Sequence, residues 1–413
     1  MPARTDPSAS YAVEVARLLW PPPWEAPRVT RGGDQVVGTC RDAYLFPTER
    51  RARLLVPADL PGASTMLRRL GADRSALAGP ARQVLRRAVR ARAFPLLGWP
   101  MLRVQGDDPD ADSVEGYLSR SLRTDVRVGV LLGTRRANQK PVLQVFGRDG
   151  TVLGYAKVGH NDLTAGLVRR EAAAVATVGL HLPRSFRLPE VLHQGRWAGL
   201  EVLVLSPLTT DRGRAVPRPA LVAAMREVAW LVGVADTPLA ESAFWSRIRD
   251  AASALGDGPD SRRLQRAVSA LEQQDGSHPV GLGGWHGDWG PWNMGTAHGE
   301  LQVWDWERYD PEVPLGFDAL HFGAQSVRPG DRAERRQERA FLRSVPSCLA
   351  ELGVHPAQHD LTLRLYLVEI AVRYLDALRG GATPALRRRT SWVLTLLEQL
   401  TDQTHSVHLE ARP

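Results

Sequence analysis

WHGDWGPWN, from Trp285 to Asn293, with VWDWE following at Val303 to Glu307, is the stretch whose reading decides the rest. Asp288 stands five residues before Asn293, and Asp305 follows across the short apolar run ELQVW. Any one of these reads as a turn residue, because Asp and Asn side chains bond their own backbone in turns. Three together supply a proton acceptor and two hard oxygen donors within one short span. Phosphoryl transfer needs such a set: a carboxylate to orient the attacking hydroxyl, and carboxylate and amide oxygens to hold Mg²⁺. An H-x-D metal pair at His286 and Asp288 is the competing reading. It finds no second His/acid cluster, and it leaves Asn293 and Asp305 without a task.

The same chemistry also needs a cation for the nucleotide phosphates and an acidic residue to hold that cation. Of the 53 Lys and Arg residues only Lys140 and Lys157 are Lys, so a Lys marks a place where a compact ammonium is wanted rather than a guanidinium fork. Lys157 is predicted to end the strand TVLGYAK, and Glu171 to lie on the helix NDLTAGLVRREAAAVATVGL, opened by Asn161 and Asp162 as caps. No G-x-G-x-x-G precedes Lys157. The loop LLGTRRANQK offers Gly133, with Arg135 or Lys140, as a cover for phosphates.

Composition is that of an ordinary globular protein, 43% apolar and 24% charged. The two cysteines, Cys40 and Cys348, are too few for a disulfide framework or a zinc site. Glu14 and Arg17 interrupt the apolar run of the N-terminus, and no run reaches membrane length. The expectation is a soluble cytoplasmic protein without a membrane partner. The net charge of +8 raises nucleic acid as a partner, and Ser64 to Arg92 concentrates eight Arg against one Asp. Its pattern ALAGPARQVLRRAVRARAF reads as a helix with Leu77, Val84, Leu85 and Val89 on one side and a solvated Arg face on the other, so nucleic-acid binding is not expected.

Three segments follow from the texture. Residues 1–125 are an N-terminal α/β extension, an elaboration or a cap, with strands in DAYLFP, ARLLVPAD and LLGWPMLRV. Residues 126–205 hold short branched-apolar strands, VRVGVLLG, PVLQVFG, TVLGYAKVG and AGLEVLVLSPL, around one helix. Residues 206–413 are mostly helical, with the opening motif in a Gly-rich loop. Trp285, Trp289, Trp292, Trp304 and Trp306 crowd that loop and are expected to pack around it, although such faces also stack on sugars and cations. Asp318 in PLGFDALHF reads as the cap of the next helix.

On HGDWGPWN and VWDWE, with Lys157 and Glu171 in order before them, the chain resembles the aminoglycoside phosphotransferase and choline kinase-like family. The resemblance runs from roughly Val126 to Leu400. It implies an α+β, two-lobed, protein-kinase-like fold with an antiparallel β-rich first lobe carrying one helix and a mostly helical second lobe. It implies Asp288 as catalytic base, Asn293 and Asp305 as Mg²⁺ ligands, and Lys157 with Glu171 and Gly133 on the nucleotide side. His286 would brace the loop, and the backbone of Leu203 to Leu208 would receive adenine. Glu307, read from its own position, contacts metal or substrate or else forms a salt bridge in the neighbourhood of Arg308. ATP and Mg²⁺ are the implied cofactors, and a sugar, aminoglycoside or choline-like hydroxyl the implied acceptor. Gly287 stands where protein kinases carry Arg, which removes the partner of a phosphorylated activation loop and favours activation by substrate. A catalytically silent nucleotide-binding regulator is the alternative within the same fold, and the intact acidic set argues against it.

Overall fold

The structure is a computed structural model that describes residues 7–31, 38–69, 79–91, 93–94, 98–108, 111–133, 139–211 and 215–410. The fold is α+β, an antiparallel sheet followed by a helical C-terminal part. The chain divides into two compact units, Met1–Ala172 with Pro189–Pro207, and Ala173–Leu188 with Leu208–Pro413.

The first unit opens with α1 (Pro7–Leu19), β1 (Arg28–Thr30), β2 (Thr39–Phe46) and β3 (Leu54–Pro57). It continues through α2 (Gly79–Arg90), β4 (Met101–Gly106), α3 (Val114–Leu122), β5 (Val126–Leu131), β6 (Val142–Gly147) and β7 (Val152–Gly159). Helix α4 (Asp162–Leu180) crosses into the second unit, as does the short β8 (Phe186–Arg187), before β9 (Val191–Trp197) and β10 (Leu200–Leu205) return to the first. Nine strands form one sheet in the order β1-β4-β2-β3-β5-β6-β7-β10-β9, each described pair antiparallel. Residues 1–125 thus contribute four strands to the sheet that carries Lys157. One face of the sheet buries Val128, Val130, Leu143, Val145, Ala156 and Val202 in a cluster that also holds Val15 and Leu19 of α1 and Leu118 of α3. Removing apolar area from water is the main stabilising term, about 1.5–3 kcal/mol for each large side chain fully buried.

Several expectations need correcting. The strand carrying Lys157 runs on to Gly159, so the Lys lies inside β7, opposite Val142, rather than at its end. Strand β9 was not foreseen; the two-residue link Ala198–Gly199, with φ of 47° and 78°, is the left-handed pair that matches the twist of a tight hairpin. The helix read in ALAGPARQVLRRAVRARAF is α2, Gly79–Arg90, with a 3₁₀ segment at Pro61–Arg69 before it and Leu77 outside the described residues. In α2, Val89 is buried and Leu85 half-buried, but Val84 is 64% exposed. Residues four apart share a helix face and residues five apart do not, so Val84 cannot join the stripe of Leu85 and Val89.

The second unit contains α5 (Arg218–Trp230), β11 (Ala235–Pro238), α6 (Ala243–Ala254), α7 (Pro259–Asp275) and β12 (Pro279–Trp285). It goes on with β13 (Met294–Ala297), β14 (Glu300–Val303), β15 (Asp310–Pro314), α8 (Phe317–Ala324), α9 (Glu334–Glu351), α10 (His359–Gly380) and α11 (Pro384–Glu410). Two three-stranded sheets, β11-β12-β15 and β13-β14-β8, frame the loop between β12 and β13. Helix α10 is apolar nearly all round, burying Leu361, Leu365, Leu367, Val368, Ile370 and Leu375, as expected of a central helix. That burial fixes where its polar residues Tyr366 and Arg373 point. No helix among the described residues is long and apolar enough to cross a membrane.

Candidate functional site

In the first unit, Lys157 on β7 donates from Nζ to Glu171 Oε1 on α4 at 2.5 Å, and both side chains are buried. The helix is set by its start: Asn161 Oδ1 accepts from the Thr164 N–H at 2.9 Å, and Thr164 Oγ1 accepts from the His160 N–H at 3.0 Å. Desolvating two charges is costly, so a buried pair of this kind adds little net stability. Gly133 follows β5 with φ 64° and open space around its Cα, while Arg135 lies outside the described residues.

In the second unit, β12 ends at Trp285 and β13 begins at Met294, and everything between is tied down. Asn293 donates through Nδ2 to both the backbone oxygen and Oδ2 of Asp288, each at 2.9 Å. His286 is fully enclosed; Nε2 donates to the Trp304 carbonyl at 3.0 Å and Nδ1 accepts the Asp288 N–H at 3.2 Å. This pattern specifies the neutral tautomer, and burial accordingly pushes its pKa down to about 4. Its two ring nitrogens thus bond the Trp304 carbonyl on one side and the Asp288 N–H on the other.

The sequence reading missed the clamp on the other side. Asp318 does not cap α8, whose N-cap is Gly316; its two oxygens accept the backbone N–H groups of His286 (2.7 Å) and Gly287 (3.1 Å). Burial pushes its carboxyl up to about 7, against the pull of those two N–H groups and of Arg373. Arg373 of α10 donates to the Gly287 carbonyl at 2.7 Å and to Glu369 at 2.6 Å, with its guanidinium 4.3 Å from the Trp285 ring centroid. Gly287 itself has φ 83°, and a Cβ there would meet the Arg308 carbonyl oxygen at 2.3 Å. Glycine at this position is thus demanded by packing as well as by backbone conformation. The one signal in the sequence was Asp318 itself, an acid inside the apolar run PLGFDALHF.

Asp288 keeps 37% of its side chain exposed while its backbone is fixed. Burial of the rest opposes its charge, yet the imidazoles of His321 and His286 hold its carboxyl below the usual range. His321 of α8 was also missed; its Nε2 lies 3.4 Å from Asp288 Oδ1 and 2.9 Å from Gln325 Nε2, and its Nδ1 3.2 Å from the Tyr366 hydroxyl. Arg389 Nη2 donates to Gln325 Oε1 at 3.0 Å, which turns the amide nitrogen of Gln325 toward the ring. Buried in this way, His321 has its pKa lowered.

Asp305 follows β14 in the left-handed region, φ 72° and ψ 54°, and its side chain does not cap the 3₁₀ turn that it precedes. A carboxylate oxygen of Asp305 lies within 4.8 Å of one of Glu307. These two carboxylates are hard oxygen donors of the kind that suits Mg²⁺, and Asn293, whose Nδ2 is spent on Asp288, carries an amide oxygen of the same kind. Of the five loop tryptophans, Trp285, Trp289 and Trp306 are buried and Trp304 partly so, as packing predicts, but Trp292 is exposed.

No family profile and no curated protein sequence matches this chain. Solved structures do. The chain is similar to the aminoglycoside phosphotransferase APH(4)-Ia, solved as a thermostable mutant in ternary complex with ADP and hygromycin B. The match has 17% identity and a TM-score of 0.48, over 70% of this chain and 98% of that one. It is similar also to the choline kinase LicA from Streptococcus pneumoniae, at 15% identity and a TM-score of 0.44, over 68% of this chain and 97% of that one. At such identities any reading of chemistry rests on the residues described above.

Proposed function

We propose that the protein is a phosphotransferase that moves the γ-phosphate of ATP to a hydroxyl of a small molecule. The observation that carries this reading is the Asp288–Asn293 pair, one side-chain amide bonded to both the backbone and the carboxylate of the residue five before it. An Asn so used fixes the carboxylate's direction and carries an amide oxygen suited to a cation. Asp288, ionised and partly exposed, accepts the proton of the acceptor hydroxyl as that oxygen attacks the γ-phosphorus. Lys157, held by Glu171, neutralises the charge of the nucleotide phosphates. Asn293 and Asp305, with Glu307, would hold Mg²⁺, which when bound neutralises phosphate charge during transfer. His286, Asp318 and Arg373 touch no reacting atom; they keep the loop from moving.

The test is the thermal midpoint with and without saturating Mg²⁺-ATP, on wild type and on Asp305→Asn. Ligand at a hundred times its Kd adds about 2.7 kcal/mol, a readily visible shift. A Mg²⁺-dependent shift in wild type that the variant loses is the expected result. No shift with ATP or any other nucleoside triphosphate would overturn the reading.

A further inference from the structure

Three of the five loop tryptophans are buried, Trp304 is half-buried, and the fifth is exposed. Trp292 is 52% exposed, on the same short loop as the candidate base. The Asn293 N–H donates to the Gly290 carbonyl at 3.0 Å, closing a turn with Pro291 and Trp292 at its centre. Trp304 Nε1 donates to the Trp292 carbonyl at 3.1 Å, so a second tryptophan pins the backbone that carries the exposed ring. The ring lies down on Gly290: a Cβ at that glycine would come within 2.5, 2.6 and 2.9 Å of three ring atoms. The six-membered part of the indole is thereby seated on bare backbone, and half of the side chain stays exposed on the loop that carries Asp288 and Asn293.

We propose that Trp292 is a specificity-determining residue, an aromatic platform on which the ring of a sugar acceptor is laid while one of its hydroxyls reaches Asp288. This inference rests on the phosphotransferase reading and narrows its acceptor. Fixing a large side chain in advance removes the entropy cost of ordering it on binding, so a pinned, exposed Trp is suited to recognition. The alternative use of an aromatic, holding an ammonium group, works best where several faces form a cage. Three of the other loop tryptophans are engaged elsewhere: Trp306 packs on His286 (ring centroids 4.6 Å apart) and on Phe186 (5.6 Å), Trp289 packs on His286 (5.5 Å), and Trp285 packs on Phe317 (5.3 Å), while Trp304 is half-buried and tied by its Nε1 to the Trp292 carbonyl. One exposed indole matches a flat partner, and the C–H face of a pyranose is flat and apolar, with its hydroxyls at the rim. Dispersion across such a face is individually weak and collectively useful.

The test is saturation-transfer NMR with methyl glucoside, methyl galactoside, methyl mannoside and glucosamine, with choline as the cationic probe, on wild type, Trp292→Phe and Trp292→Ala. Transfer to ring C–H protons of at least one sugar is expected in wild type, kept in the Phe variant and lost in the Ala variant. In turnover with that sugar, Trp292→Ala should raise the acceptor KM by about tenfold while the nucleotide-induced thermal shift is unchanged. Transfer from no sugar, equal transfer in Trp292→Ala, or binding of choline in preference to every sugar overturns the proposal. Failure of the underlying reading looks different: sugar binding that depends on Trp292 persists, but wild type moves no phosphate to any probe.

Discussion

Asn293 spends both hydrogens of its side-chain amide on one residue, Asp288, bonding its backbone oxygen and its carboxylate at 2.9 Å each. A carboxylate aimed in this way is set for one direction of approach. Asp288→Asn should keep the loop and the nucleotide-induced thermal shift but lose about 10²–10⁴-fold in turnover, the usual worth of a positioned general base. Steady-state kinetics beside a thermal-shift titration decides it; near-normal turnover would remove Asp288 from the chemistry.

Lys157 and Glu171 form a buried pair whose two members carry different penalties when lost. Glu171→Ala takes away the carboxylate 2.5 Å from a buried ammonium and should destabilise the fold by up to about 3–5 kcal/mol, the range for breaking buried pairs. Lys157→Met replaces the cation by an apolar chain of similar length and should cost little stability if Glu171 takes up a proton. It should nonetheless weaken the thermal shift with Mg²⁺-ATP. Chemical denaturation and nucleotide titration on the two variants separate these effects.

Asp318→Ala removes the acceptor of two buried backbone N–H groups, each costing about 1–3 kcal/mol when left unsatisfied. Arg373→Met removes the donor to the Gly287 carbonyl from the opposite side. Both variants should lose turnover without direct contact with substrate, and hydrogen exchange at His286 and Gly287 should quicken in each. Unchanged exchange in the Asp318 variant would mean that the loop holds itself.

Gly287→Ala tests the backbone. The left-handed conformation costs an L-residue about 1–2 kcal/mol, and the Arg308 carbonyl leaves no room for the methyl. A thermal midpoint within a degree of wild type would show that the loop can relax around the substitution.

His286 gives a pH signature with a definite sign. Its pKa falls from the ordinary 6.5 to about 4 in the fold, so between those values the unfolded chain holds a proton that the folded chain refuses. Stability attributable to His286 is intact above pH 6.5 and declines as pH falls toward 4, with a slope of at most about 1.4 kcal/mol per pH unit. Asp318, raised from 3.8 to about 7, works in the opposite direction, its contribution declining as pH rises through that window. The difference between wild type and His286→Gln isolates the His286 slope. Parallel stability curves for the two proteins from pH 4 to 6.5 would contradict the assignment of a buried neutral imidazole.

What the sequence made legible is what local spacing controls. The D-x-x-x-x-N motif, the strand before Asp305, the Asn161 cap and the helix carrying Glu171 all depend on neighbours within a few residues. Lys157 could be singled out because Lys is so rare here. Asp318, Arg373 and His321 could not, because each acts on the loop from a distant position in the chain, and nothing near Arg373 distinguishes it from the other Arg residues on α10. Strand β9 was missed because its exposed residues break the alternation expected of a half-buried strand; only the Ala198–Gly199 turn announces it.

The sheet shared by the first 125 residues and Lys157 has a bearing on self-association. Strand β3 bonds to β5 through the pairs Leu54–Leu131 and Leu55–Val130. Glu115 of α3 accepts from Arg41 at 2.6 Å and from the Val128 N–H at 3.1 Å. A fragment begun at Val126 would leave the flank of β5 as an unprotected row of N–H and C=O groups, ready to add a strand from another molecule. The N-terminal segment fills that row with the chain's own strand. In the intact chain that flank is closed to another molecule's strand, and a version shortened to begin at Val126 would open it.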